Sequence, residues 1–449
     1  MISRTTAYRA TVAIIWALAL WHSWTSRGLF VDGANFLVHI VRQEAFFDFY
    51  LPRVFAMILG QIPVMTAVTL GVTDLHVLAR LLSLGLFALP TIFYTLALHR
   101  AKDDAVLLAV VIAAIAIVFM TTSFFIVGEY NTLYAVTILI AVRLGTADRL
   151  TWPDAIVLVL LSLLAIRTYE TMLYLGPLLG CIMLGKVWRA RGRPAGPSVL
   201  YLVSAVFMIM GMMVALNSVK HPHSPEHLVE TWMMAADFWQ NLQFDLALAA
   251  ALVVIGWALL KPEALQHRLP YIFGGMFLAL LALSPLLALS DGLVRPLAKS
   301  QYVARTVSGL IIGAMILLIV TWRSKLAGRL RAMAALRAPA ASSRFLGFAL
   351  LMLVAGLPAD LFLTRSWVGY IDAMHASVQM RSGVIAVEDT PIGRRPDSLL
   401  VENWVLTSQS LLLRSKPSDG VLAPPRDFTD WVPFPPQELP NLGRFYWRD

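Results

Sequence analysis

Three carboxylates follow the first apolar segment of the chain, and their types and spacing suit acid–base chemistry. Asp32 comes first, and Glu44 and Asp48 follow it before the next apolar run begins at Val54. A carboxylate within hydrogen-bond reach of a hydroxyl can take its proton, which is the task of a general base. Glu44 and Asp48 are i, i+4, so on a helix they would share one face, where repulsion favours a bound cation or a raised pKa. We therefore predict Asp32 as the catalytic base, with Glu44 and Asp48 as further catalytic candidates.

The alternative role of Asp32 is structural. Asp is a favoured N-cap residue, and a helix that begins near Ala34 would let the Asp32 side chain accept a backbone N–H. Residue type alone does not separate capping from catalysis. Both roles therefore stay open for Asp32 at the level of the sequence.

Two further groups of charged residues lie between long apolar segments. Glu129 stands between one pair of segments, and Arg167 and Glu170 stand between the next pair. Charged side chains at membrane depth are costly and tend to line cavities. If the apolar segments pack as a bundle, these three side chains face the same cavity as Asp32 and are predicted to bind substrate. The alternative is a structural Arg–Glu pair that closes two helix ends.

A basic cluster near residue 300 is the predicted site for a phosphate group. It consists of Arg295, Lys299, Tyr302 and Arg305. The last three would share one face of a helix, and arginine gives bidentate contacts to phosphate. The alternative is ordinary anchoring of the chain to lipid headgroups.

A histidine-rich strip resembles a metal site only weakly. It contains His221, His223 and His227, but Pro222 stiffens the strip and the spacing matches no fixed ligand pattern. A short helix at the rim of the cavity is the favoured interpretation. The predicted chemistry requires no cofactor, and a divalent metal is the weaker alternative.

Composition indicates a polytopic membrane protein. The chain has 449 residues, of which 58% are hydrophobic and 14% are charged, with a mean hydropathy of +0.71. Soluble domains carry about 25% charged residues. The formal net charge is +9, but the basic residues sit in short loops between apolar segments, where they set topology. This pattern argues against a nucleic-acid partner and for membrane lipids.

Hydropathy predicts an all-α protein with about eleven transmembrane helices. The predicted spans are 10–29, 75–98, 104–127, 129–145, 153–170, 171–187, 198–218, 244–260, 269–289, 306–322 and 345–363. Basic loops alternate with long loops poor in Lys and Arg, so the positive-inside rule predicts a cytoplasmic N-terminus and an extracytoplasmic C-terminus in the cell (inner) membrane. Residues 54–72 are apolar but would break this alternation if they crossed, so we expect them to stay on the outer side.

The chain divides into two parts by composition. Residues 1–363 form the predicted membrane domain, with a first outer loop over 30–77 and juxtamembrane helices on the outer face. Residues 364–449 are richer in Pro, Asp and Arg and are predicted to form a small α/β or irregular extracytoplasmic region. Within it, 367–380 has the pattern of an amphipathic helix and 384–387 that of a short strand.

The order of these features resembles the N-terminal third of the GT-C glycosyltransferases. One span precedes a long loop that opens with Asp32, then comes a semi-apolar helix, and Leu70–Leu81 (LGVTDLHVLARL) leads into a span that ends in basic residues. The resemblance covers roughly residues 1–190, and no single motif in it is specific. The family often has two adjacent acidic residues here, whereas Gly33 follows Asp32, and the family's proline-rich start of the next helix is missing.

The resemblance implies both a fold and an activity. Members are multi-spanning enzymes that use polyprenyl-phosphate sugars, with an acidic residue of the first outer loop as catalytic base. It therefore implies a transferase that moves a sugar from a polyprenyl-phosphate donor to a lipid or glycan acceptor on the extracytoplasmic side. A different class, a transporter or flippase of a lipid-linked or amphipathic solute, would require two related halves and broken helices near the midplane. The sequence shows no such repeat.

Overall fold

Helices make up most of the molecule. The computed structural model describes residues 2–122, 128–147, 151–189, 195–221, 241–288, 301–324, 328–379, 381–393, 400–429, 432–436 and 441–448. In these ranges lie 15 α-helices: α1 (Arg4–Trp24), α2 (Asp32–Gln43), α3 (Val54–Thr69), α4 (Leu75–Ala101), α5 (Ala105–Thr122), α6 (Glu129–Thr146), α7 (Trp152–Ala165), α8 (Met172–Arg189), α9 (Ala195–Lys220), α10 (Leu242–Leu260), α11 (Leu269–Ala288), α12 (Gln301–Trp322), α13 (Arg331–Leu336), α14 (Pro339–Gln379) and α15 (Leu406–Leu412).

Polar side chains set the start of several of these helices. Ser3, Asp74, Asp104, Thr151 and Asn241 each accept a backbone N–H of the first turn that follows them. Such capping satisfies donors that have no partner within the helix. The long apolar runs behind these caps then continue as helices, because a helix satisfies its own backbone groups in a non-aqueous environment.

Seven helices in the described residues are long and apolar enough to cross a membrane. They are Leu51–Thr69, Leu75–Ala101, Ala105–Thr122, Gly196–Lys220, Leu242–Leu260, Leu269–Leu286 and Pro339–Gln379. Six of them coincide with predicted spans, and the remaining predicted spans correspond to α1, α6, α7, α8 and α12. α5 is the central helix, because 94% of its most apolar stretch is buried, and it contains a π-helical turn over Ile115–Phe119. The fold is therefore that of a multi-pass membrane protein.

The segment around α3 is a hairpin that folds back on itself. The Phe47 N–H donates to Gln61 Oε1 at 2.8 Å, and Gln61 Nε2 donates to the Phe47 carbonyl at 2.8 Å, so the chain before α3 lies beside it. One end of the hairpin reaches the C-terminal segment through Arg444, which is 2.9 Å from Glu44. The other end reaches the same segment through Leu75, whose N–H donates to the Tyr446 carbonyl. Both ends therefore lie beside the same C-terminal segment. By length and composition Leu51–Thr69 is itself able to cross a membrane, so the expectation that 54–72 stays on the outer side remains a prediction.

The C-terminal region is a continuation of α14 followed by a small sheet. α14 is one helix of 41 residues, so it runs through the predicted boundary at 363 without a break. The predicted amphipathic face is confirmed, because its five apolar members are buried: Trp367, Tyr370, Ile371, Met374 and Val378. The predicted strand is also confirmed as β1 (Val384–Ala386), which pairs in parallel with β2 (Val421–Ala423).

Candidate active site

The chain that leads to Asp32 begins at a buried ionic cluster. Arg27 Nη1 lies 3.0 Å from Asp360 Oδ1 on α14 and donates to Thr364 Oγ1 at 2.9 Å. His22, at the end of α1, places Nε2 2.8 Å from the other carboxylate oxygen of Asp360. Arg27, His22 and Asp360 are at most 3% exposed. An ion pair between buried groups has a restricted geometry, so this cluster ties α1 and α14 to the start of the loop.

The next residues of the loop are anchored through their backbone. The Gly28 N–H donates to Ser83 Oγ on α4 at 2.9 Å. The Leu29 carbonyl accepts from Gln409 Nε2 on α15 at 3.2 Å. Residues 27–29 are therefore held by three different helices, and the loop has little freedom to move.

Asp32 follows directly on a strained residue. Val31 has φ 55° and ψ −120° and occupies the N-cap position of α2, with no side-chain capping bond. A β-branched residue at positive φ is costly, and such strain persists only where the surroundings over-determine it, often at functional sites. Asp32 is the first residue of α2, where the helix dipole favours its negative charge. Val31, and not Asp32, therefore occupies the N-cap position of α2.

Gly33 explains why a second acid does not follow Asp32. A Cβ atom at position 33 would lie 1.5 Å from the carbonyl oxygen of Gly28. No side chain fits there unless the anchored loop moves. The close approach of α2 to this loop therefore limits the site to one acidic residue at this point.

A second carboxyl reaches Asp32 from the C-terminal region. Glu402 is half-buried and precedes a 3-10 turn, Asn403–Val405, that packs against α2. Burial, and to a smaller extent the negative charge of Asp32, together raise the pKa of Glu402 to about 7. The sequence interpretation missed Glu402. The signal available was a lone acid in an apolar stretch, Leu400–Leu406.

Glu44 and Asp48 do not form the predicted pair on one helix face. α2 ends at Gln43, and Glu44 has φ 49°, so the helix stops before the two residues could align. Glu44 instead makes an exposed ion pair with Arg444 at 2.9 Å. Asp48 is exposed in the extended chain that follows. The spacing argument for a shared face was therefore wrong, because it assumed a helix where the chain has already turned.

Glu129 and Glu170 meet around a cation that the sequence interpretation missed. Arg53, at the tip of the α3 hairpin, donates from Nε to Glu170 Oε1 at 2.9 Å and places Nη1 3.7 Å from Glu129 Oε2. Its guanidinium also lies over the rings of Tyr50 and Tyr169, at 4.9 and 4.7 Å from their centroids. An Arg–Glu cluster does close these helix ends, but Arg53 supplies the cation.

Arg167 takes part in the same region through its backbone. Its carbonyl accepts from the Phe55 N–H at 3.1 Å and so holds the first turn of α3. Phe36 on α2 and Glu129 on α6 line one small cavity, which places the Arg53 cluster beside the helix that carries Asp32.

The remaining predicted site residues lie partly outside the described residues. Arg295, Lys299, His223 and His227 fall there, while Tyr302 and Arg305 lie in the first turns of α12. His221 is exposed just after α9. Among the described residues, no group of three or more His, Cys, Asp or Glu side chains is placed to hold a metal ion.

Comparison with known proteins adds no assignment. No protein-family model matches the chain, and no curated protein or solved structure is significantly similar to it. Any assignment of function therefore has to come from the geometry around Asp32.

Proposed function

We propose that this protein is a membrane glycosyltransferase of the GT-C type, with Asp32 as general base. It would move a sugar from a polyprenyl-phosphate donor to a hydroxyl of a lipid or glycan acceptor. The observation that carries the proposal is the placement of Asp32. It begins α2 directly after an anchored loop and the strained Val31, and its charge acts on the half-buried carboxyl of Glu402. Preorganised carboxylates of this kind serve proton transfer, because the group is held where the proton must go.

The proposed step moves one proton and exchanges one glycosidic bond. The acceptor hydroxyl loses its proton to the Asp32 carboxylate as its oxygen forms a bond to the anomeric carbon. The bond between that carbon and the phosphate oxygen breaks, and its electron pair leaves with polyprenyl phosphate. Asp32 is then deprotonated again, and the net product of the proton transfer is a proton on water.

The donor phosphate is assigned to the basic cluster Arg295, Lys299 and Arg305, with Tyr302 beside it. Arg53 suits phosphate poorly, because two carboxylates already neutralise it. We assign the Arg53 cluster, including Glu129 and Glu170, to binding of the sugar or acceptor, since carboxylates and arginine both bond hydroxyls.

The proposed setting is the cell (inner) membrane with about eleven spans, a cytoplasmic N-terminus and an extracytoplasmic C-terminal region. This orientation puts Asp32 on the extracytoplasmic side, because the C-terminal segment contacts the loops around it. Lipid-linked donors and acceptors are then available at the membrane surface.

The test is sugar transfer by the purified protein in lipid nanodiscs, with radiolabelled polyprenyl-phosphate sugars and an extract of envelope lipids as acceptor. Asp32→Asn keeps side-chain size but cannot take a proton, so transfer should fall by roughly 10²–10⁴-fold. Asp372→Asn, the same change at an exposed position of α14, is the matched control and should transfer normally. An Asp32→Asn protein with the wild-type rate would remove Asp32 from the reaction. Movement of labelled lipid across the bilayer without transfer would favour the transporter or flippase.

A further inference from the structure

The C-terminal region closes over the Asp32 loop through a chain of hydrogen bonds. Tyr370, on α14, donates its hydroxyl to Gln409 Oε1 at 3.1 Å, and Gln409 Nε2 donates to the Leu29 carbonyl at 3.2 Å. Phe30 packs edge-on against Trp367, with ring centroids 5.6 Å apart. The 3-10 turn Asn403–Val405, which follows directly on Glu402, packs against α2, the helix that begins with Asp32.

Glu402 interacts with two titratable groups of the described residues. The charge of Asp32 on α2 acts on Glu402, and the charge of Glu402 in turn acts on the Tyr370 hydroxyl on α14. α15, which packs on α2, carries no titratable residue. The pKa of Glu402, raised to about 7 by burial and then by Asp32, therefore follows the charge of Asp32.

An unpartnered amide oxygen lies on the same face of α2. Asn35 is 7% exposed, and its Oδ1 has no hydrogen-bond partner among the described residues. It follows Asp32 by three residues, so both side chains lie on one side of the helix. A buried acceptor without a partner calls for a donor, and the hydroxyl of a bound molecule is such a donor.

From this arrangement we propose that Glu402 is a second catalytic carboxyl, which exchanges protons with Asp32 while an acceptor hydroxyl is held between them and Asn35. The inference rests on the proposed function and adds to it the group that accepts the proton from Asp32. The hydroxyl O–H bond breaks and its proton goes to Asp32. Asp32 is then neutral and no longer repels the ionised form of Glu402, so the Glu402 O–H bond breaks and that proton goes to water. Transfer of the proton from Asp32 to Glu402 restores the pair.

The proposed Asp32–Glu402 pair can be tested without a donor sugar. Carbodiimides react with protonated carboxyls, so labelling of Glu402 by dicyclohexylcarbodiimide, followed by mass spectrometry across pH, reports its protonation in the full-length protein in nanodiscs. In the wild type the labelling midpoint should lie near neutral pH. In Asp32→Asn it should move to lower pH, because the repelling charge is gone. Asp372→Asn is the control and should leave the midpoint unchanged.

If the midpoint of Glu402 labelling is unchanged in a folded Asp32→Asn protein, the proposed proton exchange between Asp32 and Glu402 is overturned. If Asp32→Asn fails to fold, Glu402→Gln is the second variant, and the pH dependence of Asp32 labelling must then change, since coupling is reciprocal. An unchanged pH dependence of Asp32 labelling in Glu402→Gln also overturns the inference.

The failure of this inference can be distinguished from the failure of the proposed function. If the Glu402 labelling midpoint shifts but the wild-type protein transfers no sugar, the Asp32–Glu402 pair stands and the transferase proposal fails. If the protein transfers sugar but the midpoint does not shift, the transferase proposal stands and the pair fails.

Discussion

At the scale of single residues, the site depends on a glycine as much as on its acids. Asp32 can occupy the first turn of α2 only because Gly33 lets the helix approach the loop backbone at Gly28. The same contact excludes any second acid at position 33. A sequence pattern that places two acids side by side cannot be built on this backbone without moving the loop.

Gly33→Ala should therefore destabilise the protein and disturb the Asp32 loop together. The added Cβ would lie 1.5 Å from the Gly28 carbonyl oxygen, which is backbone and cannot rotate away. Overpacking of this kind costs about 1–3 kcal/mol or more. The matched control is Gly347→Ala on α14, where a Cβ meets nothing within 4 Å and helix propensity gains about 1 kcal/mol. Thermal unfolding in detergent measures the stability of both variants. Equal melting temperatures for Gly33→Ala and Gly347→Ala would contradict the argument.

Glu402 should make the stability of the protein depend on pH. Its folded-state pKa is raised to about 7, above the ordinary value of a glutamate, so the folded protein keeps a proton that the unfolded chain releases. Stability through this group is therefore present at low pH and is lost as the pH rises from about 4 to about 7. Glu402→Gln has no carboxyl to ionise at this position, so this loss of stability with rising pH should be absent in the variant.

The measurement is the melting temperature of wild type and Glu402→Gln across this pH window. The melting temperature of Glu402→Gln, relative to that of the wild type, should increase steadily as the pH rises. Glu388→Gln, at an exposed position of the same region, is the control. A constant difference between Glu402→Gln and wild type across the window would show that Glu402 does not carry a raised pKa.

At the scale of elements, two long-range ionic clusters join parts of the chain that are far apart. Arg27 joins the end of α1 to α14, and Arg53 joins the tip of the α3 hairpin to the starts of α6 and α8. The first cluster is fully buried and holds the loop before Asp32. The second is half-buried and borders the cavity next to α2. Together they hold the loop and the hairpin that border the site.

Arg27→Leu should be strongly destabilising. It leaves the Asp360 carboxylate buried with one fewer cation, and removal of one partner of a buried pair costs about 3–5 kcal/mol. Arg444→Ala breaks the exposed pair with Glu44 and should cost only about 0–1 kcal/mol. Chemical unfolding followed by tryptophan fluorescence compares the two. Similar losses in both variants would mean that the Arg27 cluster does not hold the loop.

At the scale of the whole molecule, α14 connects the two ends of the bundle. It begins within an arginine-rich segment, which carries Arg323, Arg329, Arg331, Arg337 and Arg344, and continues as one helix to the small sheet of the C-terminal region. A helix of 41 residues at about 1.5 Å per residue is longer than a membrane is thick. The C-terminal region and the arginine-rich segment therefore belong on opposite sides if α14 crosses.

Topology reporters test this arrangement. A reporter fused after Arg331 should read as cytoplasmic, because the arginine-rich segment is retained inside, and one fused after Gly383 should read as extracytoplasmic. A fusion after Gln43, at the end of α2, should agree with Gly383, since the hairpin starts beside the C-terminal segment. The same reading at Arg331 and Gly383 would overturn the eleven-span proposal and the placement of Asp32 outside.

The membrane class, most helices and the buried face near the end of α14 can be predicted from the sequence alone. Hydropathy and helical periodicity act over a few turns, so they identify Trp367 and Met374 as core residues and Val384–Ala386 as a strand. Asp32 was also within reach of sequence reasoning, because an acid directly after an apolar segment is a local signal. Its catalytic role stays a prediction.

The neighbours of Asp32, in contrast, depend on contacts between distant parts of the chain. The Gln409–Leu29 bond that brings the C-terminal region to the loop joins residues 380 positions apart, and no local pattern encodes such a contact. Arg53 likewise meets Glu129 and Glu170 through folding of a hairpin. Glu44 and Asp48 failed as a pair for the converse reason, since a helical spacing has meaning only where the chain is still a helix. Side-chain neighbours across the bundle depend on how its helices and loops pack, and this packing belongs to the folded molecule.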